Sequence, residues 1–381
     1  MNEAVNQKTP LHALHVELGA RMVPFAGYDM PIHYPAGVLA EHLHTRKFAG
    51  LFDVSHMGQA LIEGADHAIV AAFLETLCPS DFLNLAPGRQ RYSQLLNDDG
   101  GIVDDLMVTR PPSADGALRL VVNASRRAVD FALIGRRLPS GVRLTPLPEA
   151  ALLALQGPLA ASTLARLAPQ EGLEVMAFMT AGPARIAGFQ TFVARSGYTG
   201  EDGYEISLAS TDAESLARIL LKETGVAPIG LGARDSLRLE AGLCLYGHEL
   251  DETVDPVEAA LSWSIQKRRR IEGGFPGAKR IQAALANGPS RLRVGIRPDG
   301  RAPAREGTEI ASRDGRPIGV VTSGGFGPSV GGPIAMGFVG RAQAEIGTPV
   351  SLVVRGKPLS ARVVALPFYP NAYYRGQARN G

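Results

Sequence analysis

Two adjacent aspartates, Asp104 and Asp105, sit inside an otherwise apolar run from Ile102 to Val108. Asp99-Gly100-Gly101 just before them reads as a tight hairpin turn, because glycine permits a positive φ. The flanking strands are then Tyr92–Leu96 and Ile102–Val108. Strand side chains alternate faces. Val103, Asp105 and Met107 therefore share one face, and Ile102, Asp104, Leu106 and Val108 the other. Apolar neighbours on both sides suggest a strand buried on both faces. An unpartnered buried carboxylate is costly, so at least one of the pair needs a specific partner: backbone amides, a buried arginine or another polar group. Such burial perturbs proton affinity at structural and catalytic positions alike.

A second chemical cluster lies at 230–252, GLGARDSLRLEAGLCLYGHELDE. Arg234 and Arg238 are four apart on one helical face, where like charges repel slightly. Asp235 can offset Arg238, which leaves Arg234 in need of an anion from elsewhere. Asn123, at a strand-to-helix change, fits a helix N-cap. Glu205 alternates with Tyr204, Ile206 and Leu208 and reads as solvent-facing. His33, His42, His44 and His56 match no zinc spacing, and no metal site is expected. Cys78 and Cys244 show no CxxC pattern, which fits a reducing compartment without a disulfide framework. There is no Walker, Rossmann or GxSxG pattern, and GGFGPSVGG (324–332) does not open a helix as a phosphate loop must.

The bounds are equally plain. A chain of 381 residues with 45% hydrophobic and 20% charged residues is ordinary for a globular protein of two or three domains. A net charge of +2 gives no reason to expect nucleic acid or a membrane surface as a partner. MNEAVNQKTPLHAL lacks the basic and apolar regions of a signal peptide, and no apolar run is long enough to span a bilayer. A cytoplasmic location is the expectation.

The elements that must position these groups follow from periodicity and punctuation. Helices are expected at Leu11–Leu18, at Val38–Ala49 ended by Gly50, and at 66–77, 126–137, 213–224 and 233–241 ended by Gly242. Residues 22–35, rich in proline and aromatics, read as irregular. Residues 51–64 read as a loop into a strand. Strands are expected at 118–126, at 151–160 up to Gly157-Pro158 with a helix to Leu167, and as a hairpin over 185–208. QKRRR (266–270) reads as a solvated loop and ALANGPS (284–290) as a linker. Six short alternating strands after it suggest a small β-barrel, followed by an irregular aromatic tail at 367–377.

On motifs spread almost end to end, the chain resembles the aminomethyltransferases, or T-proteins, of the glycine cleavage system. The motifs are TPLHALHVELGARMVPFAGYDMPIHY (9–34), FDVSHMG (52–58), GGIVDDLMV (100–108), VVNAS (121–125), LQGP (155–158), SGYTGEDGYEI (196–206), the 230–252 stretch, VTSGGFGPSVGGPIAMGFV (321–339) and NAYY (371–374). The resemblance implies an α+β fold of three domains in a cloverleaf around a central folate site. Residues 1–280 would form the folate-binding region, with 1–55 and 140–280 as one domain and 56–139 as an inserted hairpin domain. Residues 286–381 would form a C-terminal β-barrel domain. The implied reaction moves a methylene group from the aminomethyl-dihydrolipoyl arm of H-protein to tetrahydrofolate. It releases ammonia and gives 5,10-methylenetetrahydrofolate.

By the same resemblance Asp105 is the catalytic carboxylate and Asp104 is structural. Glu205 would hold the pterin ring, which reverses its solvent-facing reading. Arg234 and Tyr373 would contact the folate, and Met57, Tyr92, Asn123 and Tyr198 would line the pocket. Tyr28, His248 and Gly327 depart from the family's usual residues, and none is one of these eight. Two alternatives share the folate site: a folate-dependent demethylase, and a non-enzymatic folate-binding factor of iron–sulfur assembly. The intact VSHMG and GG-x-x-DDL motifs favour the T-protein, and GLCLYGHE lacks the KGCYxGQE pattern of the assembly factors. A folate half of a sarcosine-type oxidase would bring a flavin domain, for which no fingerprint exists here.

Overall fold

The computed structural model describes residues 6–376, so the ends of the N-terminal stretch and of the tail read above fall outside it. The chain is α+β. Its strands form three open sheets and a closed barrel.

The central sheet has six strands, in the order Ala181–Ile186, Phe189–Ala194, Gly203–Ala209, Ala150–Gln156, Ala49–Asp53, Val226–Pro228. Its core collects Leu153, Leu155, Tyr204, Ile206 and Leu208 against the helix Ser210–Lys222. That helix turns Ala213, Leu216, Ala217 and Leu220 inward, the spacing of one helical face. Ala49–Asp53 pairs with Ala150–Gln156, so the chain leaves this sheet after Asp53 and returns some hundred positions later.

The excursion builds a five-stranded sheet, ordered Arg89–Leu96, Ile102–Arg110, Ala117–Val122, Gly58–Glu63, Arg143–Pro146. It packs on the helices His67–Glu75 and Arg127–Arg137. Asp66 caps the first of these, its side chain accepting from Ile69 N. Arg143–Pro146 pairs with Gly58–Glu63, so by strand pairing the inserted unit runs past residue 139.

The expected six barrel strands close in the order Arg291–Pro298, Gly332–Gly340, Pro317–Gly327, Glu309–Ala311, Pro349–Val354, Lys357–Val364. Closure removes the free edges that an open sheet would leave.

Several local expectations are corrected. Residues 22–35 are not irregular. Arg21–Phe25 and Tyr28–His33 form an antiparallel pair, with Pro24 on an edge strand and Pro31 beside a bulge at Arg21/Met22. Both are positions where a missing N–H is tolerated. The helix after Gly37 stops at Lys47, and Gly50 belongs to the strand Ala49–Asp53 instead of capping it. An added Cβ at Gly50 would come within 2.6 Å of Ile229 and Thr45. Residues 51–64 contain parts of two strands. The 185–208 segment spreads over three strands, with Ala181–Ile186 added in front.

QKRRR is no solvated loop either. Lys267–Glu272 is a helix, Arg269 is 4% exposed, and Arg268 reaches Asp81 at 2.8 Å. Charged side chains are buried there because carboxylates meet them. ALANGPS is mostly the end of the helix Ala278–Asn287, whose Ile281 is buried.

Candidate functional site

The hairpin that carries the aspartates is clamped at its tip. Gly100 turns with φ +82°, and Asn97 Oδ1 accepts from Asp99 N and Gly101 N at 3.1 and 2.9 Å. A Cβ on Gly101 would lie 1.8 Å from Glu252 O, so this close approach admits only glycine.

The pairing then shifts by one residue. Leu95 faces Asp104 while Leu96 faces Ile102, which makes Val103 the extra residue of a bulge. Strict alternation is therefore wrong for Val103. It joins Leu106 and Val108 in the inserted unit's core, and Ile102 packs with Leu96, Leu250 and Val254. Asp104 is fully buried, while Asp105 and Met107 are half-buried.

Asp105 Oδ2 accepts from the Tyr92 hydroxyl at 3.0 Å, and Oδ1 accepts from Asn123 Nδ2 at 2.7 Å. Asn123 Nδ2 also reaches Asp104 Oδ1 at 2.8 Å, and Asn123 N donates to Asp104 Oδ2 at 3.0 Å. Asn123 thus ties the two carboxylates together. It is not the helix N-cap, because Arg126 occupies that place without a side-chain cap bond. Neither aspartate is paired with a buried arginine among the described residues. Burial first, and the charge of Asp104 second, push the Asp105 carboxyl up to about 7, against the Tyr92 and Asn123 bonds. A carboxylate held only by neutral donors, with its proton affinity near neutrality, suits proton transfer or stabilisation of a nearby cation.

Tyr198 and Arg234 extend the site toward the central sheet. The helix Leu231–Glu240 presents the Arg234 guanidinium over the Tyr198 ring, 4.7 Å from its centroid. The Tyr198 hydroxyl donates to Cys244 O. Arg234 has no ion-pair or side-chain hydrogen-bond partner among the described residues, while Arg238 is bound by Asp235 at 2.8 Å and Glu249 at 3.0 Å. The division read from their four-residue spacing holds. Burial lowers the proton affinity of Arg234, and the carboxylate of Glu205 opposes that shift.

Glu205, between Ala154 and Ala194 in the central sheet, accepts from Ser196 Oγ at 3.1 Å. Burial raises its carboxyl above the ordinary range, and Arg234 pulls it back. It is half-buried, so its solvent-facing reading fails. Met57 packs against the cluster of Phe52, Val54 and Leu237 at the base of the same helix.

Tyr373 is placed differently. It stacks on Phe178 with centroids 4.1 Å apart and planes 11° apart, and its charged neighbours are Arg46, Arg375 and Glu201. None of these is among the other seven candidates. The geometry links Asp105, Tyr92 and Asn123 directly. Tyr198, Arg234 and Glu205 follow by stacking and charge, and Tyr373 stands apart.

Two residues of this region, Trp263 and Asp130, were not singled out in the sequence, and His56 was weighed there only as a metal ligand. His56 is buried with Nδ1 unpartnered among the described residues, and burial brings its pKa down to about 4. Trp263, the single tryptophan, is 60% exposed yet stacks on Tyr92 at 5.4 Å. Asp130 is fully buried on the helix Arg127–Arg137. Its signal was available: Asp130 and Ile134 are four apart, so a helix that buries Ile134 buries Asp130 with it.

Comparisons with known proteins cover both the three-sheet body and the barrel. The model of the GCVT N-terminal domain matches residues 11–269, and that of the glycine cleavage T-protein C-terminal barrel domain matches residues 291–370. The mitochondrial aminomethyltransferase of Dictyostelium discoideum is 45% identical over 96% of this chain and 93% of its own length. That of Flaveria trinervia is 44% identical over 98% and 92%. The crystal structure of glycine cleavage system aminomethyltransferase T from Bartonella henselae superposes with a TM-score of 0.90 at 45% identity. It covers 97% of this chain and 99% of that one. An α+β body closed by a six-stranded barrel is thus shared along the whole length. The chain belongs to the glycine cleavage T-protein family, the aminomethyltransferases. The two relatives carry mitochondrial names, which lend no support to the cytoplasmic expectation.

Proposed function

We propose that this aminomethyltransferase takes the methylene group from an aminomethyl-dihydrolipoyl arm on H-protein and passes it to tetrahydrofolate at the Asp105 site. Two folate nitrogens form bonds to the methylene carbon while its C–S and C–N bonds break. The two folate N–H protons end on the lipoyl thiol and on ammonia, so the exchange needs no oxidant. Cationic, iminium-like character develops on the carbon as the thiolate leaves. The Asp105 carboxylate, in a low-dielectric setting with fixed donors, stabilises that charge or takes a folate proton. Glu205 accepts from pterin N–H groups, and the free Arg234 guanidinium meets folate's electron-rich groups. Tyr92, Asn123, Tyr198 and Met57 shape the pocket, and Tyr373 approaches from the tail. No metal is required by this chemistry.

The single observation that carries the reading is Asp105 itself: a desolvated carboxylate, bound by Tyr92 and Asn123 and without a cation of its own. The test is ammonia release from aminomethylated H-protein with and without tetrahydrofolate. Asp105→Asn should lower folate-dependent release by about 10²- to 10⁴-fold. Folate titration by the fluorescence of Trp263, which stacks on Tyr92, should show binding preserved. Release at the wild-type rate removes Asp105 from the chemistry. Absence of release from the wild type, with folate still bound, turns the reading toward a demethylase. Among the described residues no helix is long and apolar enough to cross a membrane. The chemistry is the same in cytoplasm or mitochondrion, and fractionation of the native protein decides between them.

A further inference from the structure

Tyr198 lies between Gly197 and Gly200, and Gly200 turns with φ +80°. Glycines on both sides leave that backbone many conformations, so contacts from elsewhere must hold the ring against Arg234. Arg234 itself rides on the helix Leu231–Glu240, which ends at Glu240. One side chain grips both segments. Arg46, on the helix Gly37–Lys47, has its side chain only 7% exposed. Its Nη1 donates to Thr199 O and to Glu201 Oε1, each at 2.8 Å, and its Nη2 donates to Glu240 Oε2 at 2.9 Å. Its Nε donates to Ser329 Oγ, in the barrel turn, at 3.3 Å. The Tyr369 ring of the tail covers the face of the guanidinium, with its centroid 4.6 Å away.

We propose that Arg46 is a positioning residue for folate binding: it holds the Tyr198 loop and the Arg234 helix at the spacing that the bound folate meets, and touches no substrate itself. This rests on the reading of Tyr198 and Arg234 as folate contacts given above.

The residue type fits the task. A guanidinium is flat and offers five N–H donors in a fixed fork. Here its three nitrogens serve the loop, the helix end and the barrel turn at once. A lysine ammonium would keep the charge opposite Glu201 and Glu240, but one nitrogen cannot span all three segments. The loop is met from its other side by the tail. Ala372 N donates to Gly200 O at 2.8 Å, and a Cβ on Gly200 would come within 2.8 Å of Asn371 Oδ1 and of the Ala241 side chain. The loop therefore has no slack on the tail side, and loosening Arg46 frees Thr199 and Tyr198 beside it. Asp105 is supported separately, by Tyr92 and Asn123 of the inserted unit. Loss of Arg46 should thus disturb binding and spare the chemistry.

The test compares the wild type with Arg46→Lys in ammonia release from aminomethylated H-protein, and in tetrahydrofolate affinity by titration calorimetry. Hydrogen exchange of the 196–202 segment is followed alongside by mass spectrometry. Arg46→Lys should raise the KM and Kd for folate by about tenfold or more. At saturating folate its kcat should stay within about threefold of wild type, with the pH dependence of kcat unmoved, the signature of lost binding without lost chemistry. Exchange in the 196–202 segment should become faster. Wild-type KM and Kd in the folded lysine variant, whatever its stability, overturn the proposal. If that variant does not fold, Glu201→Ala decides. It releases one of the loop's two handles and leaves Arg46 paired with Glu240, so its folate Kd should rise by about threefold or more, and a wild-type Kd overturns the proposal. Failure of the underlying reading looks different: Arg234→Met would then bind folate as the wild type does, while exchange still reports whether Arg46 holds the loop.

Discussion

At the scale of single residues, the site is built from environment more than from residue type. Asp104 and Asp105 are identical side chains one position apart, yet one is sealed in the core and the other is half-buried. The bulge at Val103 and the bridging Asn123 amide make the difference. Asp105 near 7 has a direct kinetic consequence. Its carboxylate form is the active one in the proposed transfer, so kcat/KM should rise with pH through about 7 and level off above it. Tyr92→Phe removes the hydroxyl that favours the charged form, so the limb should move upward, by about half a unit to one unit. A pH profile of ammonia release on the two proteins checks both statements. An identical limb would mean that the Tyr92 bond at 3.0 Å does not act on Asp105.

At the scale of elements, the helix Leu231–Glu240 separates a structural arginine from a free one. Arg238 donates to Asp235, Glu249 and Ser323, at 2.8, 3.0 and 2.9 Å, and so fastens the helix to the barrel strand Pro317–Gly327. Glu249 is itself fully buried. Arg238→Met would leave it without its cation, and such a loss costs about 3–5 kcal/mol. Urea unfolding measures this, and a midpoint unchanged from wild type would contradict it. Arg234, one turn earlier, carries no such duty. Arg234→Met should leave the unfolding midpoint nearly unchanged and weaken folate binding instead. The helix reads correctly in the sequence because Ala233, Leu237 and Gly242 punctuate it. The Lys267–Glu272 helix does not, because its burial depends on Glu75 and Asp81, which lie almost two hundred positions away.

At the scale of the whole molecule, a second buried network joins the body to the barrel. Glu240 is buried and meets Arg46 at 2.9 Å and His42 at 3.0 Å, and it accepts from Ser329 N, in the barrel turn, at 2.7 Å. Burial opposes its charge, yet His42, Ser329 and Arg46 bring its pKa down from 4.5 to about 2. A depressed carboxylate contributes stability above its unfolded pKa and loses it as pH falls through the folded one. Glu240→Gln should therefore be less stable than wild type at neutral pH, and the gap should close between about 4.5 and 2. Denaturation midpoints across that range provide the check, and a gap constant with pH would reject it. The sequence by itself determined the α+β class, the hairpin with its two aspartates, the six barrel strands and the family. It did so because turns, alternation and long motifs are local signals. It also separated Arg234 from Arg238, because helical spacing is local too. Only the tertiary structure decided that Asn123 bridges two carboxylates, that Tyr373 stacks on Phe178, and that Asp130 is buried without a hydrogen-bond donor among the described residues. Each of these depends on contacts between segments distant in the chain. Desolvation, which sets the chemistry of a carboxylate, is a property of the packed interior and not of the residues beside it in sequence.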